Sequence, residues 1–249
     1  YVYFGFTPVG AGSAVCFLES AIVELFLKIP FVKPGSTSSA INEIKSDLGE
    51  AISLLIKENK ALFRFIFGMA ALNLFLSAMM VVGLPYLVKV NLGMNDQLYG
   101  FAQASTAIGM ILGGILSGFA AKRFKFQSSG IFLLLTGVLY IPVALAVLWN
   151  GTPILSYIVI MIFVILSMGS CTIFNIFALS FMQSETPNQM LGKVSSFVMM
   201  ISTCALPLGQ AMYGVLFDTL PAFTVVLFAA GMGIIIAVCV KSLLRSLKI

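Results

Sequence analysis

The stretch Ala222-Phe-Thr-Val-Val-Leu-Phe-Ala-Ala-Gly-Met-Gly-Ile-Ile-Ile-Ala-Val-Cys-Val240 carries no charge, and Lys241 follows it directly. About 20 predominantly apolar residues wound as a helix cross a bilayer's hydrocarbon core. A helix on the surface of a soluble domain would need a polar face as well, and this stretch has none. It therefore reads as a membrane-crossing segment ending at a charged interface.

Six further segments read the same way: Val9–Leu27, Phe63–Leu87, Tyr99–Ala121, Gly130–Trp149, Ile154–Met182 and Val194–Phe217. The expected fold class is all-α, a polytopic membrane helix bundle of seven crossings. Composition agrees: 60% of the 249 residues are hydrophobic and 9% charged, against roughly 25% charged in soluble domains. The mean hydropathy is +1.08. The first apolar run lacks a basic leader and a small-residue cleavage site, so it does not read as a signal peptide. With Tyr1 at its start, the sequence is expected to begin partway through a longer protein.

The connections are short except for the first. Short loops force consecutive helices to run antiparallel, and the cations then sort by side. Lys28, Lys33, Lys45, Lys57, Lys60, Arg64, Lys122, Arg123, Lys125, Lys193, Lys241, Arg245 and Lys248 fall on one side, and Lys89 alone on the other. Cations concentrate on the cytoplasmic side of membrane proteins. The expectation is a plasma-membrane protein, bacterial in type, with its C-terminus in the cytoplasm. The net charge of +5 is thus a topology signal, and nucleic acid is not an expected partner. In the long connection, Ile41, Ile44, Leu48, Ile52 and Leu55 recur at helical spacing, predicting an amphipathic cytoplasmic helix over Ser38–Lys60.

Cys16, Cys171, Cys204 and Cys239 are scattered through apolar runs, and histidine is absent. They read as small buried apolar side chains, with no metal site and no cofactor. Without histidine, clustered carboxylates or a cofactor motif, the chain does not read as an enzyme.

Polar groups at membrane depth call for an explanation. Glu19 sits near the middle of the first segment with no lysine or arginine within a helical turn. A lone carboxyl there suits a group that takes up and releases a proton, or a neutral hydrogen-bonded structural acid. Glu24 precedes Lys28 at the spacing of a helical ion pair. Asn73, Gln103, Thr106, Asn175, Thr203 and Gln210 lie in the second, third, fifth and sixth segments. Each either hydrogen-bonds between helices or lines a substrate cavity. Gly109, Gly113, Gly114, Ser117 and Gly118 make overlapping small-residue pairs for close packing. Pro85, Pro142 and Pro207 predict bends. The methionines and phenylalanines of the fifth segment, from Met161 to Met182, read as lipid-facing filler or as an adaptable binding surface.

Three stretches carry a resemblance. Asp47-Leu-Gly-Glu-Ala-Ile-Ser-Leu-Leu-Ile-Lys-Glu-Asn-Lys60 runs into Leu62–Asn73. Gly118-Phe-Ala-Ala-Lys122-Arg123-Phe-Lys125 forms a basic loop. Thr186-Pro187-Asn-Gln-Met-Leu191-Gly192-Lys193-Val194 precedes Pro207-Leu-Gly209 and Gly214. Together they resemble the major facilitator superfamily, in its macrolide-efflux and siderophore-exporter group. The resemblance implies that residues 1–29 are the last helix of an N-terminal half, 30–60 the central cytoplasmic loop, and 61–249 a C-terminal six-helix half. It also implies that the remaining N-terminal half, from the same polypeptide or a partner, completes the transporter. Lys122 stands where the family's loop motif has an aspartate.

The function implied is proton-coupled export of hydrophobic or amphipathic small molecules by alternating access. Glu19 would couple protons, the six polar residues would face the cavity, and Lys122, Arg123 and Lys125 would form a cytoplasmic gating loop. The expected partners are the lipid bilayer, a small-molecule substrate and the missing half. An uptake carrier of the same fold and a non-transporting scaffold or sensor are the alternatives.

Overall fold

The computed structural model describes residues 6–26, 46, 49–50, 52–53, 55–56, 60–124, 126–149 and 151–246. Lys28, Lys33, Ser38, Ser39, Ile41, Ile44, Lys45, Asp47, Leu48, Lys57, Glu58, Lys125 and Lys248 lie outside them. Among the described residues the chain is helical and contains no strand.

The chain divides into two units, Tyr1–Glu43 and Ile44–Ile249. In the first, α1 covers Phe6–Leu25. Among its described residues the second holds six long helices. Helix α2 runs continuously from Lys60–Leu72 through π-helical turns at Asn73–Ser77, Ala78–Pro85 and further π-helical turns at Tyr86–Asn91. It is followed by α3 (Asp96–Arg123), α4 (Gly130–Leu148), α5 (Pro153–Glu185), α6 (Leu191–Thr219) and α7 (Ala222–Ser246). These six are long and apolar enough to cross a membrane. Among the described residues these are six of the seven expected crossings.

In the second unit, the described residues ahead of α2 are helical. Leu55 is fully buried and Ile52 packs on the core, whereas Ser46 and Glu50 are exposed. That is the amphipathic pattern expected from the sequence. Glu50 pairs with Lys193 at the start of α6, which ties the connection to the basic end of the bundle.

Helix packing follows a simple order. The most extensive contacts join α3 to α5, α5 to α4, α4 to α7, α7 to α2, and α2 to α6. Phe65 of α2 also meets Phe174 and Phe181 of α5, with ring centroids 6.3 and 5.4 Å apart. Helices α5, α4, α7 and α2 therefore close a four-helix ring. Helices α3 and α6 flank it, one on α5 and the other on α2. Exchanging α2, α3 and α4 for α5, α6 and α7 leaves this order unchanged. Because consecutive helices are antiparallel, each exchanged pair runs in opposite directions. The contact order of the six helices is thus that of an inverted repeat of three.

Glycines set the closest contacts in both halves of the repeat. On α3, a Cβ at Gly113 would lie 2.4 Å from the Gly169 carbonyl oxygen, and one at Gly109 2.5 Å from that of Ile165, both on α5. On α6, a Cβ at Gly209 would lie 2.1 Å from the Leu74 carbonyl oxygen of α2. Between α4 and α7, Gly137 faces Gly233, so the self-paired contact of the repeat also rests on glycine. Gly114 and Gly118, expected to share in the α3 contact, face open space instead. Only Gly109, Gly113 and Ser117 lie on the buried side of the turn.

Two further expectations are corrected. Met161, Phe174, Phe181 and Met182 are buried in the bundle core rather than facing lipid, because α5 packs against both α3 and α4. Conversely, Cys16, Cys204 and Cys239 are exposed, and only Cys171 is partly buried. In a membrane protein the outward face is apolar too, so cysteine does not signal burial there.

Candidate functional site

Helices α3 and α6 have an exposed surface with two unlike sides. On α3, the seam against α5 is Ala102, Ser105, Gly109, Gly113, Ser117 and Ala120. To one side of it lie Phe101, Ile108, Leu112, Ile115 and Phe119, all bulky and exposed. To the other lie Gly100, Gln103, Ala107, Gly114 and Gly118, also exposed but small or polar, with Met110 the one bulky side chain among them. Helix α6 repeats the arrangement. Cys204, Leu208 and Val215 form its bulky exposed side. Ser196, Thr203, Pro207, Gln210 and Gly214 form the other, with exposed Met199 among them and nothing within 4 Å of a Cβ at Gly214. Gln103 precedes Gly109 by the same spacing at which Thr203 precedes Gly209.

The bulky sides match hydrocarbon. The small and polar sides do not, since an amide in lipid costs free energy that no neighbour returns. Such a surface belongs against protein or water.

The polar side chains there are held by their own helices. Gln103 donates to the Tyr99 hydroxyl at 2.6 Å, and Thr106 donates to the Gln103 carbonyl at 2.7 Å. Asn175 is exposed on α5 and reaches the Cys171 sulfur at 3.7 Å. It lines a crevice of about 140 Å³ with Phe65, Met69 and Val198, between α2, α5 and α6. Asn73 is half-buried and donates to the Met69 carbonyl at 3.1 Å. The expected cavity residues therefore divide. Gln103 and Thr203 are exposed on the small-residue sides of α3 and α6, with half-buried Gln210 on the same side of α6, and Asn175 lies at the crevice. Thr106 and Asn73 are half-buried and bonded to backbone. Glu19 is exposed on α1. Lys122 and Arg123 are exposed at the end of α3, while Lys125 lies outside the described residues. Among the described residues no group of His, Cys, Asp or Glu could hold a metal.

Sequence reasoning missed what surrounds Asn73. It opens the π-helical turn Asn73–Ser77. Such a turn takes one residue more than an α-turn and shifts carbonyls out of the regular ladder. Tyr213 of α6 donates to the Phe75 carbonyl at 2.8 Å, and Tyr140 of α4 to that of Leu76 at 3.4 Å. Both rings are fully enclosed. Tyrosines in mid-segment were the available signal, since a buried hydroxyl must find an acceptor. Tyr213→Phe should cost about 1–3 kcal/mol by orphaning a buried carbonyl. Thermal melting of the solubilised chain would show it, with a smaller loss for Tyr140→Phe because its bond is longer.

At the opposite end of α2, Lys89 pairs with Asp96 and lies 5.8 Å from the Tyr99 ring centre. Asn95 caps α3 by accepting from the Leu98 amide at 2.9 Å.

No family model matches the chain, and no curated protein or solved structure matches it either.

Proposed function

We propose that this chain is the C-terminal portion of a secondary transporter of the major facilitator type, exporting hydrophobic or amphipathic small molecules by proton-coupled alternating access. One observation carries the reading: both flanking helices of an inverted three-helix repeat expose a small, polar side at membrane depth. Inverted repeats are a recurrent plan of secondary transporters, whose substrates bind between repeats or halves near the midplane. On this reading the small sides of α3 and α6 meet the other half of the transporter. Asn175, Gln103, Thr203 and Gln210 then border the substrate path.

The motif resemblance adds the direction and the coupling. Helix α1 is read as the seventh crossing, the last of the N-terminal half, with Glu19 as its proton site. The basic ends of α2, α3 and α7 lie in the cytoplasm, and Lys122 and Arg123 belong to the gating loop.

The test is gradient-driven efflux of a fluorescent hydrophobic cation from cells making the full-length parent protein, wild type against Glu19→Gln. Loss of efflux, with the variant still in the membrane, is the expected result. Unchanged efflux would remove Glu19 from the mechanism. No efflux from wild type would favour the uptake carrier or the scaffold.

A further inference from the structure

A second open feature lies away from the small-residue sides. Helices α2 and α7 leave a groove of about 750 Å³ between their basic ends. Phe67 and Ala71 wall it on α2, and Ile235 and Cys239 on α7. Its floor is tight: a Cβ at Gly68 would lie 3.0 Å from Val240. Its rim is polar, with Arg64 on α2 and Ser242 on α7. From Arg64 to Ala71 the groove descends about 10 Å along the helix, well within one leaflet. Phe67 and Val238 are half exposed at its lips, so it opens sideways, toward lipid.

We infer that this groove holds an anionic phospholipid, its acyl chain against Phe67, Ala71 and Ile235 and its phosphate at Arg64. The walls match a hydrocarbon tail and nothing polar lines the lower part. Arginine presents a planar fork that matches phosphate oxygens two at a time. Lys60 sits one turn earlier on α2 and is exposed, adding positive charge where the headgroup lies. Basic pockets between membrane helices at the cytoplasmic face attract acidic headgroups. The inference needs only that the chain sits in a bilayer and does not depend on transport.

Native mass spectrometry of the purified chain with dioleoyl-phosphatidylglycerol or dioleoyl-phosphatidylcholine tests it. Wild type should retain the anionic lipid about fivefold more than the zwitterionic one, the effect of roughly one cation at a headgroup. Arg64→Gln should lower that preference, Arg64→Gln with Lys60→Gln should erase it, and Cys239→Phe, which fills the groove, should lower retention of both lipids. Melting curves of the variants check that they remain folded. Equal retention by wild type, or a preference that Arg64→Gln leaves undiminished, would overturn the proposal. Undiminished retention by Cys239→Phe would place the lipid elsewhere. Displacement of the lipid by excess inorganic phosphate would show a bare anion site and reject the acyl seat.

Discussion

Gly209→Ala should destabilise the chain by about 3 kcal/mol, the upper end of the usual cost of overpacking. The added methyl would stand 2.1 Å from the Leu74 carbonyl oxygen and 2.6 Å from the Ala78 Cβ. A flexible side chain could swing away, but here the nearest obstacle is backbone, so helix α6 must lift off α2. That movement also pulls Tyr213 from the Phe75 carbonyl it bonds. Gly214→Ala supplies the control, because nothing lies within 4 Å of its Cβ. In a helix interior, alanine is favoured over glycine by roughly 1 kcal/mol. Gly214→Ala should therefore melt at or above the wild-type temperature, and Gly209→Ala well below it. The repeat predicts a matching loss for Gly113→Ala, whose methyl meets the Gly169 carbonyl. A Gly209→Ala chain as stable as wild type would mean that the α2–α6 contact is looser than described.

Gln103→Leu combined with Gln210→Leu should leave folding intact and reduce transport by the full-length protein at least about tenfold. Gln103 is exposed and bonds only to Tyr99 of its own helix, and Gln210 is half-buried. Neither substitution removes a recorded contact between helices, so a melting curve should move little. A hydrogen bond contributes about 1 kcal/mol net at the centre of its usual range, and two lost together, about 2 kcal/mol, correspond to more than a tenfold effect. Ile108→Ala with Leu208→Ala is the comparison, since these residues lie on the bulky sides of the same helices. They should be dispensable for transport. If the bulky-side pair abolished transport and the glutamine pair did not, the two sides of α3 and α6 would have been assigned the wrong way round.

Much of the architecture was legible in the residues because the bilayer imposes a length and a polarity on each crossing. Uninterrupted runs such as Ala222–Val240 could be nothing but spanning helices, and the observed helices overlap every expected segment. The amphipathic helix ahead of α2 was legible for the same reason, from Ile52 and Leu55.

The candidate site was only half legible. Sequence picked out Gln103, Asn175, Thr203 and Gln210 because amides and hydroxyls are rare in hydrocarbon. It could not tell them from Asn73 and Thr106, which serve backbone contacts, because a polar side chain reads the same whichever way its helix is turned.

What the sequence determined by itself was the solvent, the helices and the basic end of the bundle, all of which follow from local hydrophobicity and charge. The tertiary structure alone decided which side of each helix is buried. It turned Gly113 inward and left Gly114 open, buried Met161 and Met182 of α5 and exposed three of the four cysteines. It also set Tyr213 against the π-helical turn of α2. In lipid both sides of a helix are apolar, so no contrast in hydrophobicity marks the inner face. Only the close fit of one helix on the next selects it.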